Sequence, residues 1–277
     1  MHDRKRGNLG LEDLPEEIFD KLSKETNRNL KNIVDETEDG SLISKMPTGH
    51  GDGYISVKGE DIRRLFYEDE WLNDEIVNAV GSLINKRNKD AKFKSVMLNS
   101  FFYDKLRENL PIGHPAGTIN FSNVERWTKN VDVAGLDQII IPINIGNVHW
   151  TLGVVNLHTR IVAYIDSLDR RVMPNIHNYH IEQIQEWLIR TITKQRGQVY
   201  ADSLDVRKWA SSFGGRDFPK QKDRSSCGVF MLVTAMYMST NNPNTWKQEN
   251  MKDVRRSMAH AILRKHLGAT GQFDKAK

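Results

Sequence analysis

The sequence predicts an α+β domain, in which helices flank a central sheet. Three observations carry that reading. Between residues 138 and 167, QIIIPI (138–143), VHWTLGVVNL (148–157) and IVAYIDS (161–167) follow one another at strand length and are rich in β-branched and aromatic residues. On either side of them, apolar residues recur every three or four positions, the period of a helix with one buried face. Finally, CGVFMLVTAMYM (227–238) is apolar all round, the pattern of a helix enclosed in the middle of a domain.

Leu14, Ile18, Phe19 and Leu22 keep helical spacing from about Leu11, and Leu30 to Val34 carries a second short helix. SLISKMPTGHGDG (41–53), rich in Gly, Ser and polar residues, is expected to be a linker. The domain plan is therefore an N-terminal extension over 1–53 and a compact unit over 54–277. Asp69 or Glu70 opens a helix on which Leu72, Ile76, Val80 and Leu83 share a face, with Ile84 beside them. MLNSFFYDKL (97–106) reads as a strand end running into a helix, and Pro111, Gly113, Pro115 and Gly117 mark a loop. NIGN (144–147) is a turn cluster, and His158-Thr159-Arg160 is a hairpin-length link. Ile181, Ile184, Leu188 and Ile192 line one face of a later helix.

Composition narrows the function. The 277 residues carry 40 Lys+Arg against 36 Asp+Glu, a formal net charge of +4, so the pI near 9.0 reflects a small excess. The densest basic patch, Lys86-Arg87-Asn88-Lys89, is expected to be a solvated helix end, and no nucleic-acid partner is expected. No apolar run approaches the roughly 18 residues of a membrane span, so no membrane partner is expected. The basic start has no apolar segment behind it, which argues against a secretory signal. The single cysteine excludes an internal disulfide and every zinc site built on paired cysteines, and it fits a reducing nucleus or cytoplasm.

That cysteine heads the buried helical run. At a helix N-terminus a thiol meets unpaired backbone N–H groups and the positive end of the macrodipole, both of which favour thiolate. Gly228, next to it, permits close approach of another backbone. A nucleophilic thiol wants a histidine base and a group to orient it. Of nine histidines most read as surface residues, whereas His149 starts a strand just after a Gly-Asn turn. Folding that strand about His158-Thr159 sets 149 opposite about 168, which brings Asp166 near His149. The residues alone leave two readings open: a nucleophile with its base and acid, or a packed small side chain and a surface carboxylate.

At these residues the sequence resembles the SUMO-protease family of cysteine peptidases. WLNDEIV (71–77), NSFF (99–102), VERWTKNVDV (124–133), IPINIGNVHWTLGVVNL (141–157), YIDS (164–167) and QKDRSSCGVF (221–230) match its segments in the family's order. The resemblance implies a papain-like fold of the SUMO-protease type, with a mixed or antiparallel sheet and the nucleophile at the N-terminus of a buried helix. It implies catalytic Cys227, His149 and Asp166, with Gln221 donating to the oxyanion. It implies that Trp71 and Trp150 wall a tunnel for a Gly-Gly tail, and that Asp74 and Arg126 pair with charges on the modifier's body. The sequence departs from the family's pattern at Ser226, where Asp is usual, and at Asp223, where Asn is usual. The loop before His149 is one residue longer than in the animal and yeast enzymes, and the 61-residue step from Asp166 to Cys227 is somewhat long.

The expected activity is that of a monomeric cysteine isopeptidase and peptidase, without metal or organic cofactor, acting on SUMO or another ubiquitin-like modifier and its conjugates. A deubiquitinase or Nedd-directed protease on the same fold is the first alternative. An acetyltransferase and an inactive modifier-binding module follow it. Work inside a host cell as a secreted effector is also compatible with the sequence.

Overall fold

The computed structural model describes residues 22–48, 53–111, 114–168, 174–213, 218–241 and 248–267. The helix expected from Leu11 lies outside these residues except for its last position, Leu22. In chain order the elements are α1 (Lys24–Glu36), β1 (Leu42–Pro47), β2 (Tyr54–Lys58), α2 (Gly59–Phe66), α3 (Asp74–Asn88), β3 (Ser95–Met97), α4 (Phe101–Arg107), β4 (Gln138–Ile145), β5 (His149–Asn156), β6 (Ile161–Ile165), α5 (Pro174–Arg196), α6 (Gln198–Leu204), β7 (Ala210–Ser212), α7 (Cys227–Met238) and α8 (Met251–Arg264).

The central sheet has the order β3-β4-β5-β6-β7. Its middle is antiparallel, and β3 and β7 join its edges in parallel, so the sheet is mixed. Alternation along the strands feeds two cores. Ile140, Leu152, Val154, Ala163 and Ile165 pack toward α3, α7 and α8. Ile139, Ile141, Ile143, Val155, Val162 and Tyr164 pack toward α4 and α5. Burial on both faces explains why QIIIPI is continuously apolar rather than alternating. It also explains α7, which runs through the first core with every residue from Cys227 to Tyr237 buried.

Three expectations need correction. Residues 42–47 are a strand rather than linker: β1 pairs antiparallel with β2 from Pro47↔Tyr54 to Leu42↔Lys58. Its inward positions are Ser44 and Met46, and Ser44 Oγ donates to the Ile262 carbonyl at 3.1 Å, so a polar residue marks a buried position. Leu30, Val34 and Met46 belong to the same core as α2, α3, α7 and α8. Second, α3 begins at Asp74, not at Asp69 or Glu70, because the Asn73 side chain caps the Ile76 N–H at 3.3 Å. Third, the basic cluster is not a solvated helix end throughout. Asn88 is buried, with Nδ2 donating to Ser95 Oγ at 2.5 Å and to the Ser239 carbonyl at 3.2 Å. Arg87 donates to Asn88 Oδ1 at 2.9 Å and to Ser239 Oγ, and burial pulls its guanidinium down to about 10.

The second core centres on Trp187, which is fully buried and meets the Phe102 ring edge-on at 5.0 Å. Its indole N–H finds no acceptor among the described residues. Trp187→Ala is expected to lower unfolding free energy by about 3–5 kcal/mol. Trp187→Phe should cost much less, because it also removes an unsatisfied donor. Urea unfolding of both variants checks this; equal losses would show that the indole nitrogen is satisfied in solution.

Candidate active site

The site forms where three elements converge: the start of β5, the end of β6 and the N-terminus of α7. The turn before β5 uses Gly146 and Asn147 at φ +61° and +59°, conformations that Gly and Asn tolerate. It returns the chain so that His149 pairs with Ile145 and is 4 % exposed. β6 pairs with β5 in the register Leu152↔Ile165, and extending it sets 149 opposite 168. His149 Nε2 donates to Asp166 Oδ1 at 2.8 Å, with both side chains buried. Asp166 Oδ1 also accepts the Leu168 N–H at 2.8 Å, which fixes the carboxylate.

With Nε2 committed to Asp166, Nδ1 is the ring atom left for sulfur. Cys227 is hydrogen-bonded to His149 and takes the backbone N–H groups of Trp150 and Gly228. Burial pushes the thiol up, but these bonds and the imidazolium charge outweigh it, and the thiol lies below its ordinary 9.0. Burial pushes His149 down, while its bonds and charge interactions with Asp166 and Cys227 lift it to about 9 from 6.5. Each group thus favours the charged form of the other, thiolate beside imidazolium.

The signs set a pH window. The depressed thiol contributes stability at high pH that is lost as pH falls through its folded value. The raised imidazole contributes stability below about pH 6.5 that is lost as pH rises through about 9. Alkylation of Cys227 by iodoacetamide should already be rapid below pH 9, because the thiolate persists there. Hydrolysis should fall above about pH 9 as His149 loses its proton. Asp166→Asn should move that alkaline limb to lower pH; an unmoved limb would assign it to another group.

The groove leading to Cys227 has a volume near 290 Å³, and Trp71, Asp74, Asn147, His149 and Trp150 are among its lining residues. Trp150 is buried, and its Nε1 donates to the Leu72 carbonyl at 2.8 Å, which holds the chain after Trp71 against the sheet. Trp71 stands at the lip, 44 % exposed. Gly228 serves close packing, but the approaching groups are side chains rather than backbone: a Cβ there would lie 3.0 Å from Leu72 Cβ and 3.1 Å from Trp150 Cδ1.

Asp74 lines the groove while its Oδ1 accepts Ser100 Oγ at 2.5 Å, tying α3 to the start of α4. Arg126 lies outside the groove, in a concavity near 410 Å³ shared with Phe101, Trp127 and Lys129. A larger concavity near 610 Å³ touches both, through Arg64 and Asn73 on one side and Asn99 and Phe101 on the other. Gln221 is buried: its Oε1 accepts Ser167 Oγ at 2.6 Å and its Nε2 donates to the Asp223 carbonyl at 3.0 Å. An amide nitrogen has two hydrogens, so one donor remains.

Sequence reasoning missed three supports. Ser167 orients Gln221. Asp223 organises the loop before Cys227, its Oδ1 accepting the N–H groups of Ser225 at 3.0 Å and Ser226 at 2.8 Å. An Asp that can bind the N–H groups two and three residues further on is a readable turn signal. Arg255, fully buried, donates to the carbonyls of Arg64 at 2.8 Å, Tyr67 at 3.3 Å and Glu70 at 3.1 Å, fixing the approach to Trp71. His180 is the second buried histidine among the described residues and was not singled out by the sequence. It is stacked on Tyr164 at 4.8 Å and bonded to Tyr103 Oη at 2.6 Å. Among the described residues no His, Cys, Asp and Glu group is placed to hold a metal ion, and no helix is long and apolar enough to cross a membrane.

A buried thiol on a central helix, paired with a carboxylate-held imidazole at the start of the sheet's middle strand, is the arrangement of an α+β cysteine peptidase. Within that class, the chain belongs to the Ulp1 protease family: residues 70–267 match the family's C-terminal catalytic domain. Human sentrin-specific protease 2 is 28% identical over 254 residues, which cover 88% of this chain and 40% of that protein. Human sentrin-specific protease 3 is 31% identical over 195 residues, covering 69% and 29% respectively. A sentrin-specific protease of Caenorhabditis elegans is 29% identical over 211 residues, and this chain covers 26% of its length. The chain therefore spans between a quarter and two-fifths of these relatives. The yeast Ulp1 protease domain, solved in complex with Smt3, the yeast orthologue of SUMO, superposes with a TM-score of 0.69 at 23% identity, covering 90% of this chain and 98% of that one. The Ulp1-like SUMO protease catalytic domain of Chaetomium thermophilum superposes at 0.65 with 18% identity, covering 91% and 93%. At these identities the superpositions establish the fold.

Proposed function

We propose that this chain is a SUMO-directed cysteine protease that cleaves after the modifier's C-terminal Gly-Gly. The observation that carries the reading is the buried Cys227–His149–Asp166 alignment at the end of a groove walled by Trp71 and Trp150. Residues without side chains fit a slot whose wall is a fixed indole, and bulkier residues meet that wall. The Cys227 thiolate attacks the carbonyl of the terminal glycine. The developing oxyanion is met by the remaining Gln221 hydrogen and the Cys227 N–H, which helix geometry leaves without an intrahelical acceptor. His149 passes its proton to the departing amine, then activates water to release the acyl-enzyme, while Asp166 holds the ring.

The modifier's body would lie along the surface that runs from Asp74 across the larger concavity to Arg126. The catalytic unit is proposed to include α1 and β1, whose buried residues share its core. Free Cys227 suits a reducing nucleus or cytoplasm.

The test is hydrolysis of fluorogenic C-terminal amides of SUMO and ubiquitin by the wild-type chain and by Trp71→Ala. SUMO amide should be preferred. Trp71→Ala should lose roughly tenfold or more in kcat/KM, since truncating an anchoring Trp costs about 2 kcal/mol or more. Its exposure keeps the cost to folding stability small beside that of a buried Trp. Preference for ubiquitin amide would overturn the substrate, and unchanged kinetics in Trp71→Ala would remove this residue from the groove's function.

A further inference from the structure

The loop from Gln221 to Cys227 carries both the proposed oxyanion donor and the nucleophile, and it is clamped from a distant segment. Gln248 opens the short 3₁₀ turn Gln248–Asn250 that leads into α8. Its Oε1 accepts the Lys222 N–H at 2.7 Å, and its Nε2 donates to Asp223 Oδ2 at 2.7 Å. Asp223 divides its own capacity. Oδ1 takes the Ser225 and Ser226 N–H groups, Oδ2 takes Gln248, and its backbone carbonyl takes Gln221 Nε2. One amide side chain thus fixes the carboxylate that orders the residues on both sides of the catalytic chemistry.

We propose that Gln248 and Asp223 form a donor–acceptor clamp that positions Gln221 and Cys227. Asp223 stands where the resemblance expects Asn, and Gln248 is the group that makes an acceptor necessary there. The pairing is specific in a way that simple packing is not. Gln248→Glu keeps an acceptor for the Lys222 N–H but sets a second carboxylate against Asp223. Asp223→Asn keeps an acceptor for the two serine N–H groups but turns its NH₂ toward the Gln248 NH₂. Rotating the Gln248 amide only moves the conflict to Lys222. The double variant, Asp223→Asn with Gln248→Glu, satisfies every bond again with its polarity reversed and its net charge unchanged.

The proposal rests on Cys227 and Gln221 acting as assigned above, and the experiment separates the two questions. The wild-type chain, both single variants and the double variant are compared by SUMO-amide hydrolysis and by the alkylation rate of Cys227, well below their melting temperatures. Each single variant should lose roughly tenfold or more in kcat, with KM within about twofold, because small misplacement of reacting groups falls on the chemical step. The double variant should return to within about threefold of wild type in kcat, and alkylation should follow the same order. Loss in the single variants without recovery in the double overturns the clamp, as do single variants that match wild type in both assays. Alkylation that shows loss and recovery while no modifier amide is cleaved supports the clamp and overturns the substrate assignment instead.

Discussion

Cys227→Ala is expected to abolish turnover while leaving modifier affinity close to that of the wild-type chain. The substitution removes one sulfur atom at the head of α7 and leaves the backbone and Cβ in place, so the helix and groove keep their shape. What disappears is the only thiol in the chain, and with it the acyl-enzyme route. Deleting a nucleophile from a cooperating set costs on the order of 10⁶-fold in kcat. His149, freed from its sulfur partner, should titrate at lower pH in this variant, because the Cys227 bond and charge are among the causes that lift it. NMR titration of the imidazole reads this directly. Residual cleavage above background would take the thiol out of the mechanism.

His149→Ala should reduce kcat by about 10²–10⁴-fold, the usual worth of a positioned acid–base group. Two losses combine. The departing amine has no proton donor, and the Cys227 thiol loses the bond and the charge that held it below 9.0, leaving burial to push it up. Alkylation of Cys227 at neutral pH should therefore slow together with hydrolysis. If hydrolysis collapsed while alkylation stayed rapid, the Trp150 and Gly228 N–H groups would be the main source of thiolate, with His149 serving only the amine.

These effects trace to features that were legible in the sequence for a physical reason. His149 and Asp166 are placed by a hairpin, and its register follows from strand length and the centre of the turn. The ladder Leu152↔Ile165 agrees with folding about 158–159, although the turn spans Leu157–Arg160. Cys227 stands out because the apolar run it heads can only be an enclosed helix. Trp71 and Trp150 came from the resemblance rather than from spacing, since an indole in a groove and one in a core leave the same local pattern.

The supports were not legible, because they join distant positions through single polar contacts. Arg255 reaches carbonyls 185 to 191 residues away, and Ser167 meets Gln221 across 54. Backbone acceptors carry no side-chain signature, so nothing at residues 64–70 announces an arginine. β1 hid for another reason. One of its inward positions is Ser44, satisfied by a carbonyl of α8, and this breaks the alternation that identifies a strand. β7, Ala210–Ser212, has no large apolar residue and is recognisable only by its pairing with β6.

The most direct test of the central claim is a panel of activity probes in which SUMO, ubiquitin and a Nedd-type modifier each carry a thiol-reactive C-terminus. Each is incubated with the wild-type chain and with Cys227→Ala, and the adduct is mapped by mass spectrometry. A SUMO adduct on Cys227, absent from the variant and absent or far slower with the other two modifiers, is the predicted result. An adduct formed preferentially with ubiquitin or the Nedd-type modifier would contradict the substrate, and none with any modifier would contradict the protease reading itself.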